Sequence, residues 1–388
     1  MGITETLCYL VMILSAAQLV IALTNTRGLD SLGSSKRVTR TTKMRLSVSV
    51  LIPARNEEGN IRQCLQGLFT QDYEPLEILV LDDRSEDRTA SVVQEAADYD
   101  HRIQLLSGIE PPPDWIGKNW ACHQLAESAT GEFLLFIDSD TLLSSGTISI
   151  AMDEASARGA DLLSVIPNRL SNCLIERLLF PFIDWASFCW MPMKMAHRLS
   201  NPQLSAAFGQ FMLFRRAGYE LIGGHKAVRN NPFDDFELGR LVKRTGLTWN
   251  LFDGADCLRV LPYAGNKAAF RGVSRSLFPA FDFRVSVYAL LLFTVVCLGF
   301  LPLLTLGNVV GDASHSGLMR LVATVSVGMM IVPWIIVCRR FRHSTFVALL
   351  YPFSIALMVL VSLHSLVTYS FGRVTWKDRR LSGRRIRF

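Results

Sequence analysis

The segment LLFIDSDT, residues 134–141, runs four apolar side chains straight into Asp138 and Asp140. Two carboxylates one residue apart at a strand end can converge on one oxygen-seeking cation. Mg2+ and Mn2+ combine carboxylates with phosphate oxygens and keep positions open for water. Asp138 and Asp140 therefore fit a divalent ion that holds a diphosphate. A solvated surface turn is the ordinary alternative. A second pair, Asp234-Asp235, lies in NNPFDDFELGRLVKRTG, 230–246, where a loop enters a helix. A carboxylate there can take a proton as a general base, or merely favour the helix N-terminus through the dipole. Lys118, in WIGKNW, can meet a phosphate as a point charge, or sit in water as a loop lysine. The seven histidines form no HxxxH or HExxH, so a histidine metal site is not expected. His225 is left out of the candidate site. Trp115 and Trp120 can wall a site or fill a core equally well.

These groups need elements to position them. LSVSVLIPA (46–54), LEILVLDD (76–83), IQLLS (103–107) and EFLLFID (132–138) read as strands. Residues 60–71, 87–99 and 119–129 read as helices between and around them. FGQFMLFRR, 208–216, reads as a further strand. Strands alternating with helices of this length predict an α/β domain with a mainly parallel sheet. Such sheets bind ligands at the carboxyl ends of their strands. PARNEE, DDRSEDRT and DSD all follow strands, and their alignment is the strongest functional signal in the chain.

Half of the 388 residues are hydrophobic, 19% are charged, and mean hydropathy is +0.27. That balance suits a soluble domain joined to a membrane part. Residues 7–24, 286–310, 317–338 and 344–372 are each long and apolar enough to cross a bilayer. The first lacks the basic start and small-residue cleavage pattern of a removed signal, so a retained anchor is expected. Net charge is +6. Basic residues gather after the first run (Arg27, Lys36, Arg37, Arg40, Lys43, Arg45), after the third (Arg339, Arg340, Arg342) and in the tail from Arg373. Loops rich in Lys and Arg stay cytoplasmic, which puts 26–285 inside, 311–316 outside and 339–343 inside. A fourth simple crossing would export the most basic segment. Pro352 is therefore expected to break 344–372 into a re-entrant or interfacial piece, with the tail resting on anionic head groups. The division is an anchor at 1–26, a cytoplasmic domain at 27–265, an amphipathic interfacial segment at 266–285, membrane helices at 286–372 and a basic tail at 373–388. Within the domain, 173–199 is dense in Trp, Phe and Met and reads as interfacial helices or as an ordinary core pair. Eight cysteines without a CxxC suit free, buried thiols.

VSVLIPARNEEGNIRQCLQGLFTQDYEPLEILVLDDRSEDRT followed by GEFLLFIDSDT resembles the nucleotide-sugar-binding half of a family 2 glycosyltransferase with the GT-A type fold, over roughly residues 46–260. WIGKNWACHQLAESATG, with an anchor ahead and spans behind, resembles membrane glycosyltransferases associated with bacterial hopanoid and carotenoid synthesis. The resemblance implies roles position by position. Pro53, Asn56 and Glu57 would line the nucleotide, Asp83 would read the base with support from Asp82, and Ser85 and Asp87 would form the following turn. Asp138 and Asp140 would make the ribose and metal contacts, with Asp140 the better ligand of Mg2+ or Mn2+. Asp235 would be the general base; Asp234 stands where the family commonly has Glu. Lys118 joins the donor-binding set.

The processive synthases of this family carry a Gln-x-x-Arg-Trp motif, and NKAAFRGVSRSLF, 266–278, lacks it. The expectation is thus a non-processive, inverting enzyme. It would take a nucleotide sugar, UDP-linked in the first instance, and glycosylate a hopanoid, carotenoid, polyprenyl or glycerolipid acceptor at the cell membrane. No nucleic-acid partner is expected. The competing readings are a sugar nucleotidyltransferase, whose Gly-rich basic loop is absent after the first strand, and a non-catalytic membrane sensor or scaffold.

Overall fold

The computed structural model describes residues 3–34, 45–311, 317–377, 379–380 and 386–387. Lys36, Arg37, Arg40 and Lys43 of the basic stretch, most of the 311–316 connection, and Arg384 and Arg385 of the tail lie outside the described residues.

The strands are β1 (Val48–Ala54), β2 (Leu76–Asp82), β3 (Ile103–Ser107), β4 (Phe133–Phe136), β5 (Thr141–Leu143), β6 (Leu162–Ile166), β7 (Asn168–Arg169), β8 (Met212–Arg215), β9 (Trp249–Asp253) and β10 (Leu258–Val260). Seven form one sheet in the order β3-β2-β1-β4-β8-β6-β9. All run parallel except β8, which is antiparallel to β4 and β6. This is the α/β, mainly parallel arrangement read from the sequence. Val50, Ile52, Ile78 and Val80 enter one core, while Leu51, Leu79 and Leu81 enter the other. Burial of both faces is why these strands read as unbroken apolar runs. Helices Ile61–Phe69, Thr89–Tyr99 and Gly117–Ser128 cover the faces. A small sheet, β5-β10-β7, stands beside the end of β4.

Four helices are long and apolar enough to cross a membrane: Glu5–Gly28, Val285–Gly307, Gly317–Arg340 and Tyr351–Ser370. The first and third lie side by side in the same direction. Cys8 packs with Met319 and Val322 near their starts, and Arg340 donates to the carbonyls of Thr26 and Leu29 near their ends. Those ends are stitched to the domain. Asn25 donates to the carbonyls of Phe188 and Met191 and accepts from Met193 N–H. Arg340 meets Asp253 at 2.8 Å, and Arg342 pairs with Asp256.

Helix Leu174–Trp190, read as interfacial or core, has its apolar side covered: Trp185 is buried and stacks on Trp334 at 5.4 Å. Its Asp184 is sealed between Arg169 and His343, the latter at 2.7 Å. The last apolar run is divided ahead of Pro352 into a short 3-10 turn, Thr345–Ala348, and a helix; the proline does not interrupt the helix itself. It sits in the first turn of an unbroken helix, Tyr351–Ser370, where a missing N–H leaves no bond unmade. Its first turns pack on the second and third apolar helices, and its last turn on the helix Asn266–Leu277. Tyr351 packs on Trp334, six residues before the pinned end of the third helix. Tyr369 donates to the carbonyl of Arg275 at 2.8 Å. Of the described residues of the tail, 373–377 and 386–387 pack on the protein. Val374 and Ile386 join Phe278, Phe283, Tyr288 and Tyr369 in one apolar cluster, and Arg387 exchanges backbone hydrogen bonds with Phe283 and Val285.

Candidate active site

β1, β2 and β4 end at one edge of the sheet, and a cavity of about 720 Å³ opens there. Pro53, Asn56 and Glu57 line it from the end of β1, and Asp138 and Asp140 from the end of β4. Lys118 enters from the start of helix Gly117–Ser128, and Asp235 from helix Asp234–Arg244. The structure thus brings together seven of the nine residues singled out from the sequence.

Asp82 and Asp83 do not line the cavity. Asp82 uses one oxygen to accept from Ser85 N–H at 3.2 Å and keeps the other buried without a hydrogen-bond partner. Asp83 is 2% exposed. The reason is Arg55, whose guanidinium donates to the carbonyls of Asp83 and Arg84 at 2.7 Å each and covers that turn. Asn56 adopts φ of 51°, a left-handed conformation that asparagine tolerates. Its N–H donates to Ser85 Oγ and its Oδ1 accepts from Glu86 N–H, both at 2.9 Å. Asn56 therefore joins the two loops.

The charges around Gly209 are the centre of the site. A methyl group on Gly209 would stand 3.3 Å from Lys118 Nζ, 3.5 Å from Asp138 Oδ2 and 3.6 Å from Asp235 Oδ2. Lys118 pairs with Asp138 at 2.6 Å. Burial works to lower the Lys118 pKa, but Asp138 and Asp234 outweigh it and hold the ammonium charged. Asp138 also accepts from Gln210 Nε2 at 3.2 Å. Asp140 Oδ1 is buried with no hydrogen-bond partner. Burial first, then Asp138 and Glu57, push its carboxyl up to about 7. A buried, unpartnered carboxylate oxygen beside other carboxylates suits a cation. Among the described residues no group of three or more His, Cys, Asp or Glu side chains closes around one. Asp138 and Asp140 would hold Mg2+ or Mn2+ with positions left for diphosphate oxygens and water. Because Asp138 is already paired with Lys118, Asp140 would be the better ligand of such an ion.

Asp235 Oδ2 accepts from Gly209 N–H at 3.0 Å and Oδ1 from Phe236 N–H at 2.8 Å. Burial, then Asp234, raise its carboxyl to about 7. Burial also works to raise Asp234, but Lys118 and His225 prevail and keep it low. His225 is fully buried. Its Nδ1 lies 2.8 Å from the Tyr219 hydroxyl and its Nε2 3.6 Å from Asp234 Oδ2. Both carboxylates line the cavity, Asp234 beside His225 and Asp235 beside Gly209.

Trp115 and Trp120 pack on each other and on His123, away from the cavity. Sequence reasoning missed Arg55, which lay inside the PARNEE cluster, and Gln210, which lay inside a predicted strand. It also missed Lys377, for which no signal exists: the tail returns across more than 300 residues. Lys377 Nζ donates to the Asn56 carbonyl at 2.8 Å and pairs with Glu57 at 2.9 Å, at the cavity wall.

Fold and site together define an α/β nucleotide-sugar-binding domain of the GT-A type. Residues 49–223 match the model of glycosyl transferase family 2, and the chain carries a family 2 glycosyltransferase domain. It is 28% identical over 239 residues to a 4,4'-diaponeurosporenoate glycosyltransferase of Staphylococcus haemolyticus, a match covering 60% of this chain and 61% of that one. With a protein of the same name from Staphylococcus aureus, strain bovine RF122 / ET3-1, identity is 27% over 212 residues, 54% of each. The chain spans between half and two thirds of the length of these curated relatives. A mannosyltransferase from Pyrobaculum calidifontis, solved with GDP-Man and Mn2+, shares the fold. Its TM-score is 0.52 at 16% identity, over 97% of this chain and 100% of that one.

Proposed function

We propose that the chain is an inverting, non-processive glycosyltransferase that moves one sugar from a nucleotide sugar to a membrane lipid. The observation that carries this reading is the convergence on Gly209. The paired Lys118 and Asp138 and the raised carboxyl of Asp235 meet across one glycine. Direct displacement needs that layout, with positive charge on the leaving-group side and one base on the acceptor side. It differs from glycoside hydrolysis, which sets two carboxyls across the bond.

Asp235 takes the proton of an acceptor hydroxyl. Its two backbone N–H contacts fix the carboxylate plane, and the negative Asp234 behind it keeps its basicity near neutral. Lys118 supplies a fixed positive charge for the diphosphate and holds Asp138 in place. Mg2+ or Mn2+ on Asp140 and Asp138, when bound, stabilises charge on the departing nucleoside diphosphate. Lys377 and Arg55 brace the loop that carries Asn56 and Glu57. A UDP-sugar is the first donor to try.

The acceptor is a lipid, of the carotenoid, hopanoid, polyprenyl or glycerolipid kind. Two observations support this: the apolar helices share a core with the catalytic domain, and the curated relatives carry a carotenoid acid in their names. We place the domain on the cytoplasmic side, with the first three apolar helices crossing the bilayer. Helix Tyr351–Ser370 is placed in the interface, its last turn tied to the Arg275 carbonyl. This keeps the tail inside and removes the charge conflict that a fourth crossing creates.

The test uses the full chain purified in detergent, a panel of nucleotide sugars, and Mg2+, Mn2+ or EDTA, with lipid extract as acceptor. Consumption of one donor with formation of a new glycolipid supports the reading, and its loss in EDTA supports the metal. Nucleotide binding without any turnover across the panel would favour a sensor or scaffold instead.

A further inference from the structure

A second cavity, of about 470 Å³, lies on the other side of the segment 168–172 from the first. Asn168 to Ser171 line it, whereas Asn172 lines the catalytic cavity. Its polar wall is basic: Arg169, Arg177, Arg342 and His343 line it, and no Asp or Glu does. The carboxylates that serve these groups lie outside the lining. Buried Asp184 holds Arg169 and His343, and Asp256 pairs with Arg342 on the surface. Three arginines against two carboxylates leave an excess positive charge. Arg177 is exposed, and among the described residues its side chain has no ion-pair or hydrogen-bond partner.

The rim is apolar and open. Leu174 is 65% exposed and Phe346 63%. Both line this cavity, and exposed Leu349 and Phe353 continue the surface onto helix Tyr351–Ser370. Arg342 and His343 directly follow the helix Gly317–Arg340. A basic pocket with an apolar lip, at the foot of a helix built for hydrocarbon, has a specific chemical complement: a phosphate joined to acyl chains.

We propose that this cavity binds the phosphate head group of an anionic phospholipid, with the acyl chains against Leu174, Phe346 and Phe353. Arg177 supplies the unpaired cation, and the Asp184-anchored Arg169 and His343 form the rigid back wall. The site is separate from the catalytic cavity and does not depend on the proposed transfer reaction.

The test is lipid retention by the full chain in detergent, read by native mass spectrometry. Phosphatidylglycerol, phosphatidylcholine and inorganic phosphate are titrated separately. Phosphatidylglycerol is expected to bind and phosphatidylcholine to bind far more weakly. Arg177→Gln should weaken phosphatidylglycerol binding about fivefold, the worth of one basic side chain near a lipid surface. Arg62→Gln, an exposed charge that does not line this cavity, should not. Equal retention of the two lipids would overturn the proposal, as would equal weakening in both variants. Binding of inorganic phosphate as tight as that of the lipid would replace it with a soluble-anion site. Among the described residues the Arg177 side chain makes no hydrogen bond or ion pair that folding would miss, and unchanged melting of the variant checks this.

Discussion

Asp235→Asn separates proton removal from everything else the site does. Burial and Asp234 hold the Asp235 carboxyl near 7. A carboxyl raised on folding binds its proton more tightly in the folded chain. Its ionisation therefore costs stability that is absent below about pH 4 and fully present above about 7. Three pKa units correspond to about 4 kcal/mol. Asparagine removes that cost but offers one acceptor to two N–H groups, those of Gly209 and Phe236, and the unserved one costs about 1–3 kcal/mol. The variant should thus melt no lower than the parent at pH 8. It should bind nucleotide as before and transfer to a hydroxyl acceptor about 10²–10⁴ times more slowly. The assay is steady-state transfer from pH 5.5 to 9, with melting and nucleotide binding measured on the same samples. The parent rate should rise through about pH 7 as Asp235 ionises; at saturating Mg2+ or Mn2+, which would keep Asp140 ionised despite its own raised carboxyl, the variant rate should be flat. An acceptor carboxylate arrives ionised and needs no base, so with such an acceptor the variant should retain most of its rate. Transfer to a hydroxyl at a rate within about tenfold of the parent's would refute the role given to Asp235. So would joint loss of nucleotide binding.

Lys118→Gln removes a charge that lowers the Asp235 pKa, so the rising limb of the pH–rate profile should move to higher pH while donor KM increases. Gly209→Ala puts a methyl 3.3 Å from Lys118 Nζ and 3.6 Å from Asp235 Oδ2; kcat should fall about tenfold or more with little change in melting temperature. Lys377→Ala removes a partly exposed pair with Glu57; donor KM should rise about three- to fivefold, the scale of one such pair, with kcat unchanged.

The sheet was legible because its strands are buried on both faces and end in polar clusters at regular intervals. Periodicity carries that pattern directly. The strand at 208–216 was legible too, but not its insertion antiparallel between β4 and β6, because that depends on long-range pairing. The same insertion sets Gly209 and Gln210 beside Asp138, so the centre of the site was invisible even though its carboxylates were not. Asp82 and Asp83 stood in the right motif, yet Arg55 spends its donors on the carbonyls of that turn and draws it behind the cavity wall. Pro352 carried the right signal with two meanings, since proline stops a helix in its interior and starts one in its first turn. The course of the tail could not be read at all. Lys377 reaches Glu57 through an apolar cluster built from residues some 90 positions apart in the chain.

Helix Tyr351–Ser370 starts against the apolar helices and ends on the segment 274–278, from which one wall of the cavity is built. Ser274 meets His364, Phe278 N–H donates to Ser365, and Tyr369 holds the Arg275 carbonyl. Ala268, Arg275 and Ser276 on that wall face the cavity. The cavity wall and the end of an apolar helix are therefore one mechanical unit. On the proposed reading, with a lipid as acceptor, such a unit would favour lipids whose reactive group stands at one height above the acyl chains, and swapping the sugar-accepting group while keeping that height should disturb transfer less than moving the group by a few methylenes.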